Sequence, residues 1–260
     1  MKKEPKIVTF DLETIWDIDK IATQDVFFGL SNWPGRTMKA DIGSIICFGY
    51  KIYGQKTAHC INVWDDKEAF DENINNDYLV CAAAYDVLKD ADAIITHNGK
   101  RYDWKYLQTR FKINGLPTLD KIPHIDTFAE AKKNFSMYSN RLKDLAAQFT
   151  PESKIDTGGK NLWTRVYRGD KVAMREMSDY CKQDVVATEA LADAFKSEIK
   201  IWPNRNLYTG KNDCPVCSSS NIIKHGTRPA KTRIIQRYMC MDCGSTTSAT
   251  KTNKLLRVVS

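Results

Sequence analysis

Apolar and polar positions alternate with changing period along the chain, and the changes mark its elements. Ile7, Val8 and Phe10 read as a short buried strand, and Asp11 and Glu13 stand two positions apart at its end. A long connection holding Trp33-Pro34-Gly35 follows. The runs 44–54 and 57–64 are split by Gly54-Gln55 and read as a β-hairpin. From about Glu68 to Lys89, Leu79, Ala83, Val87 and Leu88 recur at helical spacing. Residues 93-AIIT-96 form another short strand, and the loop HNGKRY leads into a helix over 103–111, stopped by Asn114, Gly115 and Pro117. A further strand and turn is expected over 122–128. The segment 141–149 is amphipathic, with Ser139 or Asn140 as its cap. The glycine-bearing stretch 156–163 lacks phosphate-loop spacing and reads as a turn. A long helix is expected from Lys171 to Ile201, ended by Pro203, with a polar linker over 203–213. A meander of three strands followed by alternating helices and strands predicts an α/β chain: a mixed sheet with helices packed on it.

Composition adds a second, smaller unit. The chain has 260 residues, 42% of them hydrophobic, which is enough for one sizeable core and a smaller module. No apolar run reaches the ~18 residues of a membrane helix, so no membrane partner is expected. No apolar signal core follows the N-terminal MKKEPK. The expected location is therefore the cytoplasm, the host's if the chain is virus-encoded, and the eight cysteines are expected as thiols or metal ligands. The net charge of +7 is uneven. From Arg205 onward ten Lys and Arg face two Asp, a net of +8, while the first 204 residues carry 29 against 30, a net of −1. A near-neutral body over 1–204 and a basic tail over 205–260 point to a polyanionic partner.

Side chains alternate along a strand, so Asp11 and Glu13 point the same way. Two nearby carboxylates repel unless a cation lies between them, and oxygen ligands favour Mg²⁺ or Mn²⁺. Two exposed acids at a strand end would look the same. Asp103 opens a helix after 97-HNGKRYD-103, where an Asp also serves as a cap. In 180-YCKQD-184, Tyr180 and Asp184 share one helix face.

Taken in order, D-x-E in 10-FDLET-14, N-G-x-x-x-D in 97–103 and Y-x-x-x-D in 180–184 resemble the three motifs of the DEDD 3′–5′ exonucleases. The similarity is to their tyrosine subclass, as in the proofreading domains of family-B DNA polymerases, and covers roughly residues 5–200. The histidine subclass has His five positions before the last Asp, where this chain has Asp179. Tyr102 stands where the family often has Phe. The resemblance implies a ribonuclease-H-like fold and hydrolysis of terminal phosphodiesters to nucleoside monophosphates. It implies two Mg²⁺ or Mn²⁺ ions held by Asp11, Glu13, Asp103 and Asp184, with Tyr180 orienting the attacking water. DNA is favoured over RNA as partner. An exoribonuclease of the same fold and a non-catalytic nucleic-acid binder are the alternatives. The family often carries an Asp-Thr at the position of Asp126-Thr127 without a metal-binding role, so Asp126 is left outside the set. Asp17, Asp19, Asp41 and Asp179 read as surface or capping residues.

The tail carries a second motif. Cys214-x-x-Cys217 and Cys240-x-x-Cys243, separated by 22 residues, have the spacing of a closed four-cysteine zinc site of structural role. Iron or a pair of disulfides would also use four cysteines. The run is similar to zinc ribbons of transposases and transcription factors, which implies a grip on nucleic acid, with a protein-docking ribbon as the other reading. Lys224, Arg228, Lys231, Arg233 and Arg237 supply charge, and Tyr238 a ring for stacking. His225 reads as a loop histidine. Cys47, Cys60, Cys81 and Cys181 are isolated in the sequence and read as buried thiols.

Overall fold

The computed structural model describes residues 4–16, 43–65, 76–151, 161–250 and 253–258. Trp33-Pro34-Gly35, Asp17, Asp19, Asp41, the first part of the helix expected from Glu68, and residues 156–160 of the glycine-bearing stretch lie outside them.

Five strands make the first sheet: β1 (Ile7–Trp16), β2 (Gly43–Ile52), β3 (His59–Asn62), β4 (Ala93–Thr96) and β5 (His124–Asp126), in the spatial order β3-β2-β1-β4-β5. The β1–β2–β3 meander is antiparallel, and β4 and β5 join it in parallel. Gly54 closes the β2–β3 turn at φ 83°, a conformation that favours glycine. Helices cover both faces, as the mixed α/β reading requires. On one face, α1 (Tyr78–Leu88) and α2 (Asp103–Ile113) pack on Val8, Phe10, Leu12, Phe48 and Ile94. On the other lies the 24-residue α6 (Lys171–Ala194), flanked by α4 (Leu142–Phe149) and α5 (Asn161–Tyr167). No helix among the described residues is long and apolar enough to cross a membrane.

Several boundaries differ from the sequence pattern. β1 continues to Trp16, because β2 pairs with it along its whole length, whereas β4 pairs only as far as Thr9. Asp11 and Glu13 therefore lie within a strand, on a stretch whose β4 side is open. A bulge between Glu13 and Thr14 follows directly. A short helix, α3 (Thr127–Asn134), replaces the turn expected after β5, because Asp126 caps it by accepting from the Ala129 amide at 3.2 Å. Neither Ser139 nor Asn140 is the cap residue of α4; Arg141 occupies that position without a side-chain cap bond. α6 ends at Ala194, seven residues early. Phe195 turns into an aromatic cluster with Phe135 and Phe149, and the Glu198 and Ile199 amides close on its carbonyl.

The second sheet is antiparallel, in the order β6 (Ile222–Pro229), β7 (Ile234–Cys240), β8 (Thr246–Thr250), β9 (Asn253–Val258). The expected linker over 203–213 is structured. It forms α7 (Asn206–Thr209), the Arg205 amide bonds the Pro215 carbonyl, and buried Asn206 donates to the Asp213 carbonyl at 2.8 Å. Trp202, Cys214, Val216 and Cys240 share one buried cluster with Ile7, Phe195 and Ile199, so the body's core continues into the cysteine module.

Among the described residues the charged group buried deepest is Asp77, fully enclosed just ahead of α1. It accepts from Arg110 Nε at 2.7 Å and Nη2 at 2.6 Å on α2, from Asn114 Nδ2 at 2.8 Å, and from the Ile45 amide of β2 at 2.9 Å. One carboxylate thus ties both helices of this face to the sheet. Removing one partner of a buried ion pair strands the other charge in a low dielectric. Asp77→Ala is expected to lower unfolding stability by about 3–5 kcal/mol, read from the urea midpoint.

Candidate active site and metal centre

The pleat of β1 sorts its side chains. Val8, Phe10 and Leu12 face α1 and α2, while Thr9, Asp11 and Glu13 face α6. Glu13 is 7% exposed and Asp11 partly exposed. The ligand atoms of Asp11, Glu13 and Cys181 lie within 4.8 Å of one another. α6 brings Asp184, 6% exposed, to the same place, one turn after Tyr180. The Tyr180 hydroxyl donates to Asp184 and lies in the fields of Glu13 and Asp11. Burial first, then these three negative charges, push the phenol far above its ordinary range.

Asp103 arrives from the other side of β1. It opens α2, where Tyr102 holds the cap position without a side-chain bond. Its carboxyl accepts from its own amide and from the Leu12 amide, on the stretch of β1 beyond the pairing with β4. Burial raises its pKa to about 6, with the charge of Asp126 adding to the effect and the Leu12 and Asp103 amides opposing it. The structure therefore sets the carboxylates of Asp11 and Glu13 within 4.8 Å of each other, with Tyr180 and Asp184 one helix turn apart within their electrostatic reach, and sets Asp103 against the strand that carries the first two.

The loop 97–102 is fixed tightly. Asn98 adopts φ 65°, in the left-handed region. A Cβ on Gly99 would lie 2.4 Å from Thr96 Oγ1, so only glycine fits the turn. His97 bonds Thr127 Oγ1 at 2.8 Å and the Asn140 carbonyl at 3.0 Å. Asp126 accepts from the Asn98 amide at 2.9 Å and the Lys100 amide at 3.0 Å while capping α3. It is a positioning residue for the loop that delivers Asp103. An Asp directly after an apolar strand and before a helix is the local sequence signal for that role. Trp163 of α5 has no such signal. Its ring meets Tyr180 edge-on, with centroids 6.2 Å apart, and nothing in the sequence links the two.

The cysteine module holds a second cluster. The sulfurs of Cys214, Cys217, Cys240 and Cys243 lie within 4.8 Å of one another, with Cys214 to Cys243 at 3.7 Å and Cys217 to Cys240 at 3.6 Å. A tetrahedron with metal–sulfur bonds of about 2.3 Å has edges of about 3.8 Å, so the four thiols fit zinc. The two knuckles are built alike. Ser218 and Gly244 follow them at φ 64° and 71°, and each donates its amide to the carbonyl of the first cysteine. Cys214 and Cys240 donate their own amides to Ser219 and Ser245 in turn. The Cys214 thiol is held down to about 4, chiefly by the hydrogen bond from Cys243. His225 lies on β6 and is exposed, outside the cluster.

The basic residues do not form one patch. Lys224 of β6 lies across from Tyr238 of β7 on one face. Arg228 lies across from Ile235, and Arg237, two residues on, shares that opposite face. Lys231 and Arg233 are exposed in the β6–β7 turn.

Comparison with known proteins agrees with this architecture. Residues 37–196 match the family model described as RNase_H superfamily, more than half of the chain. A search of curated proteins finds no match. Among solved structures, the chain is similar to the family B DNA polymerase from the hyperthermophilic archaeon Pyrobaculum calidifontis, with a TM-score of 0.55 and 14% identity. The similarity takes in 88% of this chain and 31% of the polymerase, so the chain spans about a third of its length.

The tie between Asp126 and Asp103 is open to measurement. Asp126→Asn removes a negative charge that holds the Asp103 proton on. Its pKa is expected to fall below about 6 in metal-free protein, read by carboxyl-carbon NMR titration.

Proposed function

The chain belongs to the RNase_H superfamily, and from that premise we propose that it is a metal-dependent 3′–5′ exonuclease of the tyrosine branch of the DEDD group. The observation that carries the reading is the convergence of Asp11, Glu13 and Asp184 on the Tyr180 hydroxyl, with Asp103 against the Leu12 amide. Such crowding of anions is costly unless cations are present.

Asp11, Glu13, Asp103 and Asp184 offer hard oxygen donors that fit two Mg²⁺ or Mn²⁺ ions. When bound, such ions lower the pKa of an attacking water and neutralise charge on the scissile phosphodiester. The chain's own residues do the rest. A free tyrosine titrates near 10, and in the ion-free site burial and the neighbouring carboxylates shift Tyr180 upward from there. It therefore orients the attacking water as a hydrogen-bonding group and does not serve as a base. Trp163 restrains the phenol ring by its edge contact. Asp126 holds the loop that sets Asp103 in place. The product is a nucleoside monophosphate released from a 3′ end. The similarity of fold to a DNA polymerase supports DNA as the substrate.

The cysteine module, in this reading, takes one structural zinc and contributes a basic hold on nucleic acid. Lys224 with Tyr238 and Arg228 with Arg237 offer two faces for phosphates and bases, with Lys231 and Arg233 at the turn between.

Two expectations follow. On a 3′-labelled oligonucleotide, cleavage should need added Mg²⁺ or Mn²⁺ and stop with chelator. Asp11→Ala should cut the rate at least about a hundredfold with thermal unfolding unchanged, and Tyr180→Phe should cost less, about tenfold. Full activity in Asp11→Ala would remove the site assignment, and digestion of RNA but not DNA would shift the substrate. For the tail, elemental analysis should find one zinc per chain, lost in Cys214→Ser. DNA affinity should fall steeply with added salt, and a salt-independent affinity would remove the nucleic-acid role.

A further inference from the structure

Three of the four cysteines that stand isolated in the sequence meet in the fold. β2 and β3 set the acids and thiols in two cross-strand rows on the face beneath α6. One row is Asp11, Gly49, Cys60; the next is Glu13, Cys47, Asn62. Gly49 keeps a gap in the first row. A Cβ there would lie 2.7 Å from Cys181 Sγ and 3.1 Å from its carbonyl oxygen, so the missing side chain admits the α6 thiol beside Cys60. Cys181 and Cys47 are fully buried, and Cys60 is partly exposed. Cys60 is the cross-strand neighbour of Gly49, so it stands beside the space that Cys181 Sγ enters, and its own sulfur lies 3.9 Å from the Ile61 carbonyl. Ser178 and Lys182 of α6 flank it, and both line a groove of about 450 Å³ together with Asn62 and Trp64. Cys81, the fourth, sits apart on the buried side of α1, bonded by Asn114 Nδ2 at 3.4 Å.

We propose that Cys60 is an oxidisable thiol that responds to a hydroperoxide by forming a disulfide with Cys181, and that this link depresses the activity of the neighbouring site. The Cys60 thiolate attacks the peroxide, an S–O bond forms, the O–O bond breaks, and the leaving oxygen takes a proton from solvent. The Cys181 sulfur then attacks the sulfenic sulfur. The S–S bond forms as the S–O bond breaks, and the hydroxyl leaves as water with the Cys181 proton. The peroxide is reduced by two electrons, which the two thiols supply. The neighbouring Cys181 and then Cys47 side chains hold the Cys60 thiol well below its ordinary range against the effect of burial, with Ser178 and the Lys182 charge adding to them. Cys181 lies between Tyr180 and Asp184, and its thiol now donates to the Asp11 carbonyl at 3.7 Å. A link to β3 withdraws that thiol and fixes the helix turn that carries both groups.

The test treats the zinc-loaded full chain with hydrogen peroxide, blocks remaining thiols, and maps the peptides by mass spectrometry. A Cys60–Cys181 link that is absent in Cys60→Ser and reversed by dithiothreitol is the expected result. In untreated protein, Cys60 should react with an alkylating agent at least about tenfold faster than Cys81. Cleavage should fall by about tenfold or more on oxidation and return on reduction, while Cys60→Ser keeps its activity through the treatment. Cys60 left reduced, converted to a sulfinic acid without a link, or paired with Cys47 would overturn the proposal, as would a mapped link that leaves cleavage untouched. The regulatory part rests on the nuclease reading, and the two fail separately. Protein that cleaves nothing before oxidation sinks that reading, while the mapped link stands on its own.

Discussion

The site depends on one mismatch of lengths. β4 stops pairing at Thr9, and β1 runs on to Trp16. Past that point, among the described residues, β1 pairs with β2 alone, and its far edge faces a space that a helix can enter. α2 fills it with Asp103, which takes the Leu12 amide. α6 fills it with Tyr180 and Asp184. A longer β4 would satisfy Leu12 by an ordinary ladder bond and leave Asp103 no reason to be there. The collected negative charge is the electrostatic consequence, visible in the upward shifts of Asp103 and Tyr180. Burial and neighbouring negative charge set the direction of both shifts, and crowded carboxylates of this kind bind divalent ions well.

The same face carries hard and soft ligands side by side. Asp11 and Glu13 continue across the sheet into Cys60 and Cys47. Gly49 lets α6 approach closely enough for Cys181 to touch both sets. Close packing of helix on sheet thus couples the carboxylates to the thiols through one side chain. Glu13 in turn helps to raise the Cys47 thiol, after the effects of Cys60 and burial.

Much of this was legible in the residues. The strand 93–96 and the helix start at Asp103 came directly from periodicity and turn chemistry, because Gly99, Asn114 and Gly115 punctuate them locally. Both cysteine knuckles were legible for the same reason, since their chemistry is packed into four residues each. What escaped depends on contacts distant in sequence. The length of β1 is set by its pairing with β2, whose partner residues lie at least 27 positions on. The early end of α6 is set by an aromatic cluster drawn from 135, 149 and 195. Cys60 and Cys181 are 121 positions apart, so no spacing rule could join them. Trp163 against Tyr180 is the same case at shorter range. Asp126 is different: its place between an apolar strand and a helix start is local and readable.

The body and the cysteine module are held in one frame by α6. The helix presents Asp184 to the acidic site, and Phe195, directly after its last turn, is buried with Cys214, Val216 and Cys240. Eleven residues at 1.5 Å each put these two ends about 16 Å apart along the axis. Arg205 on the Pro215 carbonyl and Asn206 on the Asp213 carbonyl add two more fastenings. A flexible tether would raise the local concentration of a bound strand without setting its position. A shared core does more, since it fixes the module's distance from the carboxylates. Any strand the module holds would then meet the site in one register, and loosening the cysteine cluster would disturb the packing at the end of the helix that carries Tyr180 and Asp184.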